Sequence, residues 1–297
     1  MPQIGMGTFQ MTDRPVLEQR IKDAINIGYR SIDTAYVYQN ERLIGNALKE
    51  LFSENITKRE DLFITSKVWS NFHKRNSVMN AVKLSLNNLG LNYLDLVLVH
   101  WPMAYREGTG TTRPNYTMDS NIDTDTTVVE TWRGMEDIYK KGLARSIGLS
   151  NFNSEQITRI LRETQLKPTV NQIEIHPYLS QEKLVNFCKS NNIAITAYSP
   201  LGRADTELFN ETVLNDIAIN HNKTVPQVLL RWLIQRDIII IPKTTKQERL
   251  IENFNVFDFQ LTDDEMKAIF KLNKNKRIFA KSESSNNREY PFNIEFK

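Results

Sequence analysis

Cysteine is nearly missing from this chain of 297 residues, which has Cys188 alone. One thiol excludes a disulfide framework and any cysteine-rich metal site, and it suits a reducing, cytoplasmic compartment. Charge of one sign is missing too. The 38 Lys and Arg nearly balance the 35 Asp and Glu, and a net +3 over this length sets up no strong field, so nucleic acid is not an expected partner. The longest apolar runs, at 94–99 and 237–241, are only of strand length, and a membrane span needs about 20 apolar residues. The first residues, MPQIGMGTFQ, have neither the basic nor the apolar region of a signal peptide. No P-loop, H-E-x-x-H or G-x-S-x-G occurs, and Gly5-x-Gly7 and Gly108-x-Gly110 do not lead into a helix as a dinucleotide fingerprint would.

What is present is a regular alternation. Strand-like runs fall at 3–9, 31–34, 62–67, 94–100, 144–150, 169–175, 193–199 and 238–243. Several are apolar almost without alternation, as in strands buried on both faces. Amphipathic segments lie between them. The segment 126–141 puts Val129, Trp132, Met135, Ile138 and Tyr139 on one stripe and stops at Gly142, while 14–26 stops at Gly28 and 75–88 at Gly90. A unit of roughly 30 to 40 residues, repeated eight times, is what a strand and its crossover helix require. The pattern predicts an α/β chain folded as a (β/α)8 TIM barrel, in one domain over 1–297. Two polar stretches break the repeat, 103–127 and 273–297, and are expected as long loops closing the C-terminal face.

Barrel active sites form at the C-terminal ends of the strands. Those ends carry Asp33, Lys67 and His100 on adjacent strands, then Ser150-Asn151, Gln172 and Glu174, Tyr198-Ser199, and Lys243. Tyr38 lies five residues past Asp33 in the same loop. A tyrosine is a weak acid, and a neighbouring ammonium is expected to lower its pKa. A buried Lys67 needs a partner, which Asp33 supplies. A neutral His100 can polarise a carbonyl oxygen. Any one of these residues reads as a rim charge or packing. The four together at one barrel face form a proton relay suited to carbonyl reduction. His73, His176 and His221 read as structural or surface residues, and no metal set is apparent.

At this point the chain closely resembles the aldo-keto reductases, in their aldose/aldehyde reductase-like and hydroxysteroid-dehydrogenase-like branch. The resemblance rests on GYRSIDTAYVYQNE (28–41), LDLVLVHWP (94–102), GLARSIGLSNF (142–152) and IPKTTKQERLIEN (241–253), in the expected order from about Gln3 to Tyr290-Pro291-Phe292. It implies Asp33, Tyr38, Lys67 and His100 as the catalytic tetrad, with Tyr38 as general acid. It implies NADPH extended across the barrel mouth, its carboxamide on Ser150, Asn151 and Gln172 and its nicotinamide stacked on Tyr198. The pyrophosphate falls to Gly7, Thr8, Ser199 and Leu201, the adenosine phosphate to Lys243, Thr244, Thr245 and Arg249, and the adenine to Glu252 and Asn253. Phe9, Val37, Trp69 and Trp101 are implied as the substrate wall. Phe9 stands where many members carry Trp or Tyr, and Met1 falls where most have just ended an N-terminal hairpin, so either the chain is truncated or the barrel floor closes differently.

The expectation is a cytoplasmic, monomeric reductase of small-molecule aldehydes and ketones, with neither nucleic acid nor membrane as partner. A hydroxysteroid or ecdysteroid oxidoreductase is the alternative within the same chemistry. A non-catalytic NADPH-binding partner protein is the alternative outside it, and an intact tetrad speaks against that.

Overall fold

The computed structural model describes residues 1–108 and 121–294. The centre of the loop expected at 103–127 and the last three residues of the tail lie outside the described residues. Eight parallel strands follow one another in chain order: β1 (Met6–Gly7), β2 (Ser31–Asp33), β3 (Phe63–Val68), β4 (Leu96–Val99), β5 (Ile147–Ser150), β6 (Val170–Glu174), β7 (Ala194–Tyr198) and β8 (Ile239–Ile240). The sheet closes where Ile4 bridges Ile240, through Gly5 N to Ile240 O at 2.8 Å and Ile240 N to Gln3 O at 2.9 Å. This is the (β/α)8 barrel that the repeat predicts. Every residue of β4 and of β6 is buried, as expected of strands covered by helices outside and by the barrel core inside.

The crossovers are α1 (Arg14–Ile27), α2 (Glu41–Ser53), α3 (Arg75–Leu89), α4 (Val128–Lys140), α5 (Ser154–Glu163) and α6 (Glu182–Ser190). Beyond β7 come α7 (Thr206–Phe209), α8 (Thr212–Asn220) and α9 (Val225–Gln235), and beyond β8 come α10 (Gln247–Phe254) and α11 (Asp263–Phe270). The fourth of these helices shows why the sequence stops where it does. Thr127 caps it by accepting from Glu130 N, and Gly142, at φ +72°, lets its own N–H reach Tyr139 O and Leu143 N reach Ile138 O. Val129, Trp132, Met135 and Ile138 are buried as the stripe predicts, but Tyr139 is 44% exposed. It follows Ile138 by one residue and is turned about 100° further round the axis, off the buried arc.

Candidate active site

Parallel register assembles the centre. Asp33, the last residue of β2, pairs with Thr65 of β3, and Lys67 lies two residues on, so alternation gives Thr65 and Lys67 the same face. Lys67 Nζ donates to Asp33 Oδ1 at 2.5 Å and to Thr34 O at 2.9 Å, and lies 3.4 Å from Tyr38 Oη. The ammonium and carboxylate are almost wholly buried. Tyr38 ends a single 3-10 turn, Tyr36–Tyr38, its N–H bonded to Ala35 O. His100 follows β4 with its N–H on Val68 O, and its ring stands edge-on to Tyr38 at 5.6 Å and to Trp69 at 5.2 Å. The four residues expected to meet do meet.

The electrostatics differ from expectation at one point. The Tyr38 phenol is held well above its ordinary pKa, first by burial and then by the negative charge of Asp33, rather than lowered by Lys67. Burial removes the water that would solvate a phenolate, and this outweighs the ammonium. Burial also lowers Lys67, against the opposing pull of Asp33 and Glu41. His100 is held well below its ordinary value by burial, then by the charges of Lys67, Lys281 and His73, so its imidazole is neutral. His100 Nδ1 and Trp69 Nε1 are buried without a hydrogen-bond partner among the described residues.

One hydrogen-bonded chain joins the tetrad to the next strand ends. Gln172 Nε2 donates to Asp33 Oδ2 at 2.8 Å and Ser150 Oγ to Gln172 O at 2.9 Å. Asn151 Nδ2 donates to Ser150 Oγ and to His100 O, and Tyr198 Oη donates to Asn151 Oδ1 at 2.7 Å. Thr8 turns its hydroxyl onto Asp33 O at 2.9 Å. Gly7 has a packing reason as well, since a Cβ there would meet Ile241 O at 2.7 Å. Ser199 and Leu201 lie in the loop after β7, where Gly202 N bonds Ser199 O.

Further round the mouth, Lys243, Thr245 and Arg249 are exposed and Thr244 is buried. The N-cap of α10, Lys246, makes no side-chain cap, whereas α5, α9 and α11 each have a full capping box. In this it is like α2, α3, α6 and α8, and the N–H of Lys246 itself donates to Thr244 Oγ1 at 3.1 Å. Lys243 is held below its ordinary pKa by partial burial and by the charge of Arg203, a basic neighbour that sequence reasoning missed. Glu252 accepts from Thr224 Oγ1 at 2.5 Å, and Asn253 is buried beside it in α10.

The aromatic wall is larger than expected. Phe9 packs against Tyr38 with ring centres 5.0 Å apart and planes tilted by 56°, and Trp69 and Trp101 cluster with Met103 and Tyr290, with Val37 packed against them. The tail supplies Phe279, 6.2 Å from Phe9 and 5.7 Å from Tyr198, and Phe292, 6.1 Å from Trp101. Glu174, which ends β6 and is fully buried, straps this tail down. It accepts Ile278 N at 2.7 Å, Phe279 N at 2.8 Å and His176 Nε2 at 2.9 Å. Its place at a strand end was visible in the sequence, but its two tail partners, over 100 residues on, were not. Among the described residues no group of three His, Cys, Asp or Glu gathers as a metal site, and no helix is long and apolar enough to cross a membrane.

Residues 3–274 match the model of the aldo/keto reductase family. The chain is 44% identical over 282 residues to aldose reductase B of Dictyostelium discoideum, covering 93% of this chain and 90% of that protein. Among solved structures it is similar to the aldose reductase of Schistosoma japonicum, with a TM-score of 0.93 and 41% identity over 100% of this chain and 96% of that one. It is also similar to a Bombyx mori aldo-keto reductase solved in complex with NADP, with a TM-score of 0.90 and 39% identity over 98% of this chain and 95% of that one. The chain belongs to the aldo/keto reductase family.

Proposed function

We propose that this member of the aldo/keto reductase family reduces aldehydes and ketones to alcohols with NADPH, and that Tyr38 delivers the proton. The observation that carries this is the buried Lys67 ammonium, 2.5 Å from Asp33 and 3.4 Å from Tyr38 Oη, beside a neutral His100. The residues present suit the cofactor. The uncapped first turn of α10, flanked by Lys243, Thr244, Thr245 and Arg249, suits a 2′-phosphate. Ser150, Asn151 and Gln172 offer amide and hydroxyl groups to a carboxamide, and the Tyr198 ring offers a stacking face. Gly7, Thr8, Ser199 and Leu201 border the pyrophosphate path, and Glu252 and Asn253 the adenine. NADPH, when bound, supplies the hydride.

The chain's own residues do the rest. The raised pKa of Tyr38 keeps its proton in place at neutral pH. Lys67 steadies the phenolate as that proton leaves for the substrate oxygen, and Asp33 keeps Lys67 charged. His100, neutral, donates from one ring nitrogen to the same oxygen and orients it. Phe9, Val37, Trp69 and Trp101 hold the substrate and exclude water. The lone Cys188, buried and pushed up to about 12, is inert and suits a cytoplasmic protein, and family likeness supports a monomer acting on a small carbonyl compound.

The test is Tyr38→Phe, with benzaldehyde turnover followed through NADPH absorbance and cofactor binding through its fluorescence. Turnover should fall by about 10²–10⁴-fold, with cofactor affinity changed by no more than a few-fold. A rate near that of the unaltered protein would remove Tyr38 from the role. An unaltered protein that binds NADPH and reduces no aldehyde or ketone would make it a binder instead.

A further inference from the structure

The loop after β7 turns through three consecutive left-handed residues, Gly202 at φ +55° and Arg203 and Ala204 each at φ +57°. Glycine takes this conformation freely, whereas Arg203 and Ala204 are strained in it. Backbone hydrogen bonds pin the turn. Gly202 N donates to Ser199 O at 2.9 Å, Ala204 N to Leu201 O at 2.9 Å and Asp205 N to Gly202 O at 3.1 Å. Strain held in this way clusters at ligand clamps.

The turn presents a cation that has no acidic partner. Arg203 is exposed, and its side chain makes no ion pair or hydrogen bond among the described residues. The acids that follow it are engaged by two lysines of the tail, Asp205 by Lys276 at 2.8 Å and Glu207 by Lys274 at 2.6 Å. The Arg203 guanidinium lies instead 5.4 Å from the ring centre of Phe279, which stands 5.7 Å from the ring of Tyr198. Arg203 is also near enough to Lys243 for its charge to disfavour that ammonium. Lys243 and Arg249 likewise form no ion pair among the described residues. Like charges gathered without an acid between them are unfavourable until an anion joins them.

We propose that Arg203 binds the pyrophosphate that NADPH and NADH share, apart from the 2′-phosphate taken by Lys243 and Arg249. The proposal rests on the cofactor reading above, which puts the nicotinamide at Tyr198 and the 2′-phosphate at Lys243. In a dinucleotide the pyrophosphate lies between those two ends. Arg203 has the same two neighbours, since its guanidinium is one aromatic ring away from Tyr198 and its charge reaches Lys243. The other residues of this turn, Ser199, Pro200, Leu201, Gly202 and Ala204, are neutral, so Arg203 alone among them brings a full charge to the phosphates. A planar guanidinium can donate two parallel hydrogen bonds to phosphate oxygens, which a point charge cannot.

The test titrates NADPH, NADH and adenosine 2′-monophosphate, which has no pyrophosphate, into the protein and follows tryptophan fluorescence. Arg203→Met should weaken NADPH and NADH alike, by on the order of tenfold, and leave adenosine 2′-monophosphate unchanged. Arg203→Lys, which keeps a charge, should retain most of the affinity for both dinucleotides. Arg249→Met gives the contrast, because it should weaken NADPH and adenosine 2′-monophosphate and spare NADH. Met and Lys carry a Cβ as Arg does, so the left-handed strain at 203 is the same in each protein. Unchanged affinity for both dinucleotides in Arg203→Met would overturn the proposal. So would a loss confined to NADPH, or an equal loss for adenosine 2′-monophosphate, since either would assign Arg203 to the 2′-phosphate. An unaltered protein that binds neither dinucleotide would sink the cofactor reading itself. One that binds NADPH and is indifferent to Arg203→Met would sink this assignment alone.

Discussion

Removing Lys67 is the sharpest perturbation of this site. In Lys67→Met the Asp33 carboxylate loses its 2.5 Å ion pair and keeps one side-chain donor, Gln172 Nε2 at 2.8 Å. Asp33 is 3% exposed, so water cannot take the place of the ammonium. Breaking a buried pair from one side costs about 3–5 kcal/mol, because an uncompensated charge is left behind. Replacing both partners by neutral groups of similar shape is often close to neutral. The single variant should therefore lose about 3–5 kcal/mol in urea unfolding, while Lys67→Met with Asp33→Asn should recover most of that loss. Turnover should separate from stability. Both variants lack the cation 3.4 Å from Tyr38 Oη, so both should reduce aldehydes far more slowly than the unaltered protein. Losses that simply add in the double variant would show that the two groups do not form a coupled pair. Activity restored along with stability would show that Lys67 acts only as scaffolding.

Two further outcomes follow from charge. Arg249→Met should weaken NADPH by about 1.5–3 kcal/mol, the worth of a charged hydrogen bond, and leave NADH nearly unaffected; equal weakening of both would show that Arg249 does not meet the 2′-phosphate. His73 is 2% exposed, and burial pushes it down to about 3 against the pull of Asp123. Its folded pKa lies below its unfolded value, so the stability linked to it is present above about pH 6.5 and is lost as pH falls toward 3. Between pH 6.5 and 5 the unaltered protein should lose about 1.7 kcal/mol more than His73→Leu, in which His100 still titrates. Parallel stability curves for the two proteins would refute this.

The strands were legible because burial on both faces leaves a continuous apolar run, and β4, Leu96–Val99, shows that pattern most fully. The shortest strands, β1 and β8, were the least legible in extent. There the barrel closes on itself through Gln3, Gly5 and Ile240, and Gly7 lies so close to Ile241 O that no Cβ fits. The tetrad was legible because register fixes which strand ends are neighbours. The tail was not. Glu174, Phe279 and Lys281 make tail contacts between residues roughly 80 to 270 positions apart, and nothing in a polar segment marks which of its backbone amides a buried carboxylate will hold. Arg203 escaped for the same reason, since only folding puts it near Lys243.

The Tyr38 correction comes from the same source and bears on mechanism. Sequence reasoning could count the charges near Tyr38 but not the water removed from it, and burial is the leading cause of its shift. A tyrosine tuned downward would stand partly ionised and ready to accept a proton. The one found here stays protonated, which is the state that the proposed reduction requires. With Tyr38 as the proposed acid, Lys67 matters for the product of proton transfer rather than for the resting acid. Its ammonium, 3.4 Å away, stabilises a phenolate that exists only once the proton has moved. Binding that strengthens as charge develops accelerates a step, whereas binding that is equal before and after does not. A buried acid held beside a buried cation has that property.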